Sequence, residues 1–396
     1  LVLVAFIYMF KNSSVSRRRL LYFGASGLAG AIAVAVAKDR LPMYPSQALD
    51  NLTRDFKVAG QTPLKGRATA KGLIYGAASG QDFLASDKKL QASIVRECGI
   101  LVPENELKWQ FLRPRPDVYD FSRSDWLAQF ARTHKMLFRG HTLVWYQQLP
   151  EWFKEVVNRQ NAEKFLVEHI TTVTKRYAGQ MHSWDVVNEA IEPDDRQKAG
   201  LRKSPWLEFL GPDYIELAYR VAAQADPKAM LVYNENALEY SGRKEEVKRT
   251  AVLKLLERLK SRGTPIHALG IQSHLVAQEA ALNAKKLRSF LSDVASLGLK
   301  ILITELDVSD QKLPSDPAVR DRIVAGVYED YLSVVLDEKA VIAVLNWGLS
   351  DRHTWLSTFT PRSDGAPVRP LPLDSSFKPK LAWNAMARAF DQARKR

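Results

Sequence analysis

Short apolar runs alternate with longer stretches of helical periodicity from about residue 67 onward. The apolar runs are Leu73–Ala77, Ile100–Pro103, Met136–His141, His182–Asn188, Met230–Asn234, Ala268–Gln272, Ile301–Glu305 and Val341–Trp347. They are rich in Val, Ile and Leu and have strand length, so they predict buried strands. Helices are predicted between them. One is capped by Ser86 and runs to Cys98; others cover 124–135, 162–177, 213–225, 243–261, 284–297, 317–336 and 379–394. In the fifth, Val247, Ala251, Leu255 and Leu259 recur at helical spacing, with Val252 and Leu256 beside them.

Eight strands alternating with eight helices predict an α/β fold, a single (β/α)8 TIM barrel with some long loops. An open doubly wound sheet is the alternative, but the chain has no G-x-G-x-x-G and no Walker loop. The polar residues fall where the strands end: Glu104-Asn105, His141, Asn188-Glu189, Asn234-Glu235, Gln272 to His274, Glu305 to Asp307, and Trp347. In a barrel of this type chemistry gathers at those C-terminal strand ends.

Composition narrows the class. Of 396 residues, 46% are apolar and 26% charged, as in an ordinary globular protein. The net charge is +13, yet Arg243, Lys244, Lys248, Lys254, Arg258 and Lys260 are interleaved with acids and apolar positions. That dispersal predicts solvated helix faces and no nucleic-acid partner. Cys98 is the only cysteine, so an intrachain disulfide and a cysteine metal cluster are excluded. No metal, cofactor or stable protein partner is expected, and the chain is expected to be a monomer.

Three regions follow. Residues 1–37 are expected to be an export signal or N-terminal anchor. Ser16-Arg17-Arg18-Arg19-Leu20-Leu21 leads into a Gly- and Ala-rich apolar run that ends at Ala35-Val36-Ala37. The arginine pair resembles a twin-arginine signal, which implies export to the periplasm or medium. A second apolar patch, 1–10, precedes the basic residues, and Met9 offers a start that would remove most of it. Residues 38–66 read as a linker or a strapped-down extension, and 67–390 as the catalytic domain.

Two apolar strands each end on an acid, Val186-Val187-Asn188-Glu189 and Ile303-Thr304-Glu305. Carboxylates are rarely buried without a partner or a task. Paired carboxylates with no metal-ligand cluster suit glycosidic bond cleavage. The Asn, Gln, Lys, His and Trp residues at the other strand ends suit sugar hydroxyls and sugar rings.

At this level of detail the chain resembles the family-10 glycoside hydrolases, the endo-xylanase family. The resemblance covers roughly 67–390 and recurs in order. Its motifs are Val102-Pro103-Glu104-Asn105-Glu106-Leu107-Lys108-Trp109, Arg139-Gly140-His141-Thr142-Leu143-Val144-Trp145 with Gln148-Leu149-Pro150, and Trp184-Asp185-Val186-Val187-Asn188-Glu189-Ala190. Gly270-Ile271-Gln272-Ser273-His274, Ile303-Thr304-Glu305-Leu306-Asp307 and Trp347-Gly348 with Asp351 and Trp355 complete them.

The resemblance implies a retaining endo-1,4-β-xylanase acting on xylan or xylo-oligosaccharides. Glu189 would be the acid/base and Glu305 the nucleophile, their carboxyl groups about 5–5.5 Å apart. The ionised nucleophile would hold the proton on the acid, and release it once glycosylated. His274 would bond Glu305, with Asp307 supporting His274. Asn188 and Gln272 would hold the sugar 2-hydroxyl and the nucleophile. Glu104, Asn105, Lys108, His141 and Gln148 would bind the glycone, and Trp145, Trp347 and Trp355 would wall the cleft. Trp126, Trp206 and Trp383 match no motif and read as structural.

The alternatives are another retaining β-glycanase on the same barrel and a non-catalytic carbohydrate-binding protein. Two departures bear on the leaving-group side. Tyr146 follows Trp145 where the family usually has His, and Asn236-Ala237 stand where it often carries Tyr and Asn.

Overall fold

A computed structural model describes residues 54–277 and 282–396. Among the described residues, eight parallel barrel strands alternate with eight long helices, with shorter helices and one short extra strand in the loops. In order they are β1 (Ile74–Ser79), α1 (Lys88–Glu97), β2 (Ile100–Pro103), α2 (Ser122–Thr133), β3 (Leu137–Gly140) and α3 (Ala162–Arg176). Then come β4 (Met181–Asn188), α4 (Tyr214–Ala225), β5 (Met230–Glu235), α5 (Arg243–Ser261), β6 (Ala268–Ile271) and α6 (Ala284–Ser296). Finally β7 (Lys300–Ser309), α7 (Pro317–Val335), β8 (Val341–Asn346) and α8 (Leu381–Gln392) complete the ring. Each strand pairs with the next, and β8 closes on β1 through Ile74↔Ala343 to Ala77↔Asn346. This is the predicted (β/α)8 barrel.

The barrel interior is filled, not hollow. Ile100, Val102, Val232, Ala268, Leu302, Ala343 and Leu345 form one buried cluster, and Trp347 stands in it at the end of β8. The column of apolar side chains therefore runs without a break up to the mouth of the barrel.

Several sequence expectations are corrected. Ser86 is not the cap of α1. It ends a short preceding helix, Gln81–Ser86, and its hydroxyl donates to the Asp82 carbonyl at 2.6 Å. Asp87 caps α1 by accepting from the Lys89 and Leu90 amides. The carboxylate takes two of the orphan amides of that first turn. In α5 the inward face is turned from the predicted one. Val252, Leu255, Leu256 and Leu259 are buried, but Val247 is half exposed and Lys248 takes the buried place before them. Spacing among the leucines allowed either start, and the charge on Lys248 hid the true one.

Residues 54–66 lie against the barrel, as a strapped-down extension. Phe56 is buried, Arg54 meets Asp330 at 2.7 Å and Glu329 at 3.1 Å on α7, and the Leu64 amide donates to Glu97 at 2.9 Å. The export-signal reading of 1–37 lies outside the described residues. Among the described residues no helix is long and apolar enough to cross a membrane.

Two irregularities position polar groups at the barrel mouth. The β4–β5 register shifts between Asp185 and Val187, and the β7–β8 register shifts between Ile303 and Leu306. Such bulges break the strict alternation of faces and re-aim side chains. Close packing sets the third strand: a Cβ on Gly140 would fall 2.0 Å from the buried Trp184 ring. Gly140→Ala is therefore expected to destabilise the fold by about 1–3 kcal/mol or more. A thermal unfolding midpoint unchanged from wild type would mean that the ring yields freely.

Candidate active site

The C-terminal strand ends surround a cleft of about 870 Å³. Glu104, Asn105, Lys108, His141, Trp145, Gln148, Asn188, Glu189, Gln272, His274, Glu305, Trp347 and Trp355 all line it. Thirteen of the predicted site residues are thus brought together from six of the eight strands and their loops. Asp307, the fourteenth, is buried behind His274 and Trp355.

Glu189 and Glu305 stand on β4 and β7 and are joined by a chain of amides. Asn188 Nδ2 and Gln272 Nε2 donate to Glu189 Oε1 at 3.1 and 2.9 Å. Asn188 Oδ1 accepts from Asn234 Nδ2 at 2.9 Å, and that same nitrogen donates to Glu305 Oε1 at 2.7 Å. Asn234 Oδ1 in turn accepts from the Thr304 hydroxyl at 2.7 Å. Glycine makes room for this, because a Cβ on Gly270 would lie 2.3 Å from Asn234 Oδ1.

Two features differ from the sequence expectation. The side chains of Asn188 and Gln272 bond Glu189, and the Glu305 carboxylate is held by Asn234 on one oxygen and His274 on the other. Asn234 is legible in the sequence as a strand-end residue, but nothing local marks its contact with Glu305. Its neighbour Glu235, expected at the rim, is fully buried and does not line the cleft. Alternation along β5 sends the two side chains to opposite faces.

Glu305 is held ionised. Burial works against its charge, but the His274 hydrogen bond, the charges on His141 and His274 and the Asn234 amide overcome it and hold the carboxyl at about 2. His274 Nε2 lies 3.2 Å from Glu305 Oε2, and Nδ1 lies 3.0 Å from Asp307 Oδ1. Burial would lower the His274 pKa, but Asp307 and Glu305 raise it well above its ordinary value. The ring is therefore an imidazolium near neutral pH and donates to both carboxylates. Trp355 Nε1 donates to the other Asp307 oxygen at 2.8 Å. Ser273 has a left-handed φ of 66°, and its amide donates to buried Glu239 at 2.7 Å, which fixes the approach of His274. Glu239 was not predicted, since its loop carries no apolar period.

The other half of the cleft is built around a cation. Lys108 Nζ donates to Asn105 Oδ1 at 3.1 Å and lies over Trp145 and Trp347, 5.1 and 5.8 Å from the ring centroids. Burial lowers its pKa, against the pull of Glu305, Glu104 and Glu189. Burial pushes the Glu104 carboxyl up to about 7, although Lys108 opposes it. His141 is oriented from behind: Nδ1 lies 2.9 Å from Asp185, which also pairs with buried Arg139. Trp145 Nε1 and Gln148 Oε1 are buried and find no partner among the described residues, which leaves them for a hydroxylated ligand. Trp206, read as structural, donates to the Trp145 carbonyl at 2.9 Å and so supports that wall. Among the described residues there is no metal-binding cluster.

Tyr146 and Asn236, the two departures, both line the cleft. Tyr146 is covered by Arg202, whose guanidinium carbon is 4.4 Å from the ring centroid. Asn236 accepts from Lys248 at 2.5 Å.

The His274–Asp307 pair gives a direct check. Asp307→Asn removes the largest attraction on the ring, so the His274 pKa is expected to fall. Imidazole NMR titration should show wild-type His274 protonated at neutral pH and the variant deprotonating at lower pH; superimposable curves would remove Asp307 from this role. Because the folded pKa lies above the unfolded value of 6.5, the pair stabilises the fold below that pH and loses its effect as pH rises through the folded pKa.

A polar, aromatic-walled cleft with an ionised carboxylate facing a second, amide-bound one is equipped for acid-assisted displacement at a sugar carbon. Comparison with known proteins agrees with that chemistry. The chain is 35% identical over 291 residues to a β-1,4-xylanase of Dictyoglomus thermophilum, which covers 72% of this chain and 79% of the relative. It is 37% identical over 303 residues to endo-1,4-β-xylanase A of Caldicellulosiruptor saccharolyticus, covering 73% and 85%. Xylanase 10B from Thermotoga petrophila RKU-1, solved with xylobiose, superposes with a TM-score of 0.77 at 31% identity, over 85% of this chain and 99% of that one. The sequence pattern of glycosyl hydrolase family 10 matches residues 63–389, nearly the whole described barrel, and the chain belongs to that family.

Proposed function

We infer that this chain is an endo-1,4-β-xylanase that hydrolyses β-1,4-xylosidic bonds in xylan with retention of configuration. The observation that carries the reading is the pair Glu189 and Glu305, bridged by Asn188 and Asn234 inside a sugar-sized cleft. The xylanase names of its relatives and the xylobiose in a similar structure support the substrate class.

The roles follow from charge. Glu305, held at about 2, is the anion available to attack the anomeric carbon. Glu189 gives its proton to the leaving oxygen. When the glycosyl–Glu305 ester forms, the charge disappears and Glu189 can take a proton from water. His274 holds Glu305 Oε2 and so fixes the orientation of the carboxylate. Lys108, Glu104, Asn105 and His141 address the hydroxyls of the glycone, and Trp145, Trp347 and Trp355 supply ring faces.

No stable protein partner is invoked, and a monomer suffices, because every proposed catalytic group comes from one barrel. Export is proposed on the sequence of residues 16–37 alone.

Retention makes a sharp test. Proton NMR of the first products from xylan should show the β-anomer before mutarotation, and early α-anomer would refute the double displacement. Glu305→Ala is expected to lower turnover on xylan by at least about a thousandfold, given what nucleophile removal costs elsewhere. Near wild-type turnover would take Glu305 out of the nucleophile role. A panel of xylan, arabinoxylan, mixed-linkage glucan and cellulose separates this reading from another β-glycanase: release should be greatest from the xylans.

A further inference from the structure

Glu235 closes β5, has no solvent exposure, and does not line the cleft. A carboxylate there must be compensated. Lys248 Nζ of α5, itself buried, lies 2.9 Å from Glu235 Oε1. That oxygen also accepts the Asn236 amide at 3.0 Å. Oε2 accepts the Tyr233 hydroxyl at 2.5 Å and the Ile191 amide at 3.1 Å.

The bond to Ile191 reaches the segment that carries the proposed acid. Glu189 sits at φ 55°, a left-handed conformation that a residue with a Cβ adopts only under constraint. Its amide donates to the Asn234 carbonyl at 2.9 Å, and its carbonyl accepts from Arg202 Nε at 2.7 Å. The Arg202 amide donates to the Ala190 carbonyl at 2.7 Å. With Ile191 pinned by Glu235, consecutive peptide groups from 189 to 191 are each tied to a fixed partner. Lys248 extends the anchor by donating to Asn236 Oδ1 at 2.5 Å.

We propose that the buried Glu235–Lys248 pair is a positioning device for Glu189: it holds the 189–191 segment in the strained conformation that delivers the acid to the leaving oxygen. Glu235 touches no substrate and is a positioning residue. The proposal rests on the assignment of Glu189 as the acid.

A misplaced acid slows only those reactions whose leaving group needs a proton. The test compares kcat/KM, which reports the glycosylation step, on xylan and on 2,4-dinitrophenyl β-xylobioside, whose leaving group departs unprotonated. Glu235→Gln is expected to lower kcat/KM on xylan by about ten- to a hundredfold. The aryl substrate should stay within about twofold. Where Glu235→Gln does not fold, the charge-neutral double substitution Glu235→Gln with Lys248→Met is read instead, with the same split expected. Equal losses on both substrates would mark the pair as structural only and overturn the proposal, and so would no loss on either.

Glu189→Ala serves as the control and should show the same split at larger size. If it does and the Glu235 variants do not, the positioning role falls alone. If Glu189→Ala shows no split, the acid assignment falls and the positioning role with it.

Discussion

An ionised carboxylate among apolar strands is the constraint on which the barrel mouth depends. Taking a charge out of water costs several kcal/mol even after relaxation. Glu305 is 5% exposed and still ionised, so its surroundings must return that energy. They do so with a cation on one oxygen, His274, and an amide on the other, Asn234. Each of those groups needs its own support. Asp307 and Trp355 stand behind His274, and Thr304 and Asn188 stand beside Asn234. The proposed catalytic residues are thus the inner end of a polar network that has no loose members among its own side chains.

That network sits on neighbouring strands, β4 to β7, and the barrel's order makes it continuous. Parallel pairing places the strand ends side by side, and the two register shifts turn successive side chains toward one another. The opposite side of the mouth, from β2, β3 and β8, carries Lys108, His141 and the tryptophans. Trp347 belongs both to the cleft and to the apolar column below it. Packing and recognition are therefore mechanically coupled, and the site has a rigid floor.

The barrel was legible because its signals are local. Each buried strand is a short branched apolar run, and seven of the eight lead into a polar or tryptophan residue at the C-terminal end. Motif spacing added the residue types. What sequence did not disclose was contact between elements. Asn234 and Glu235 are adjacent in the chain, yet one joins the proposed nucleophile and the other an ion pair behind the wall. Lys248 looks like any charge on a surface helix until α5 is seen to place it inward. Ser86 and Asp87 compete for one helix cap, and only the carboxylate reaches both amides. In each case the decisive fact is a distance across the fold, which composition and period do not encode.

Thr304 has a consequence beyond its single bond. Its hydroxyl donates to Asn234 Oδ1, and this leaves the Asn234 nitrogen to face Asn188 and Glu305. Asn188 must then present its oxygen to Asn234 and its nitrogen to Glu189. One hydroxyl on β7 sets the polarity of every amide between the two carboxylates. A barrel closed one residue out of step on β7 would turn these side chains away from each other and strand several polar groups in apolar surroundings. The chemical centre thus proofreads the assembly of the sheet: only the correctly closed barrel can satisfy it.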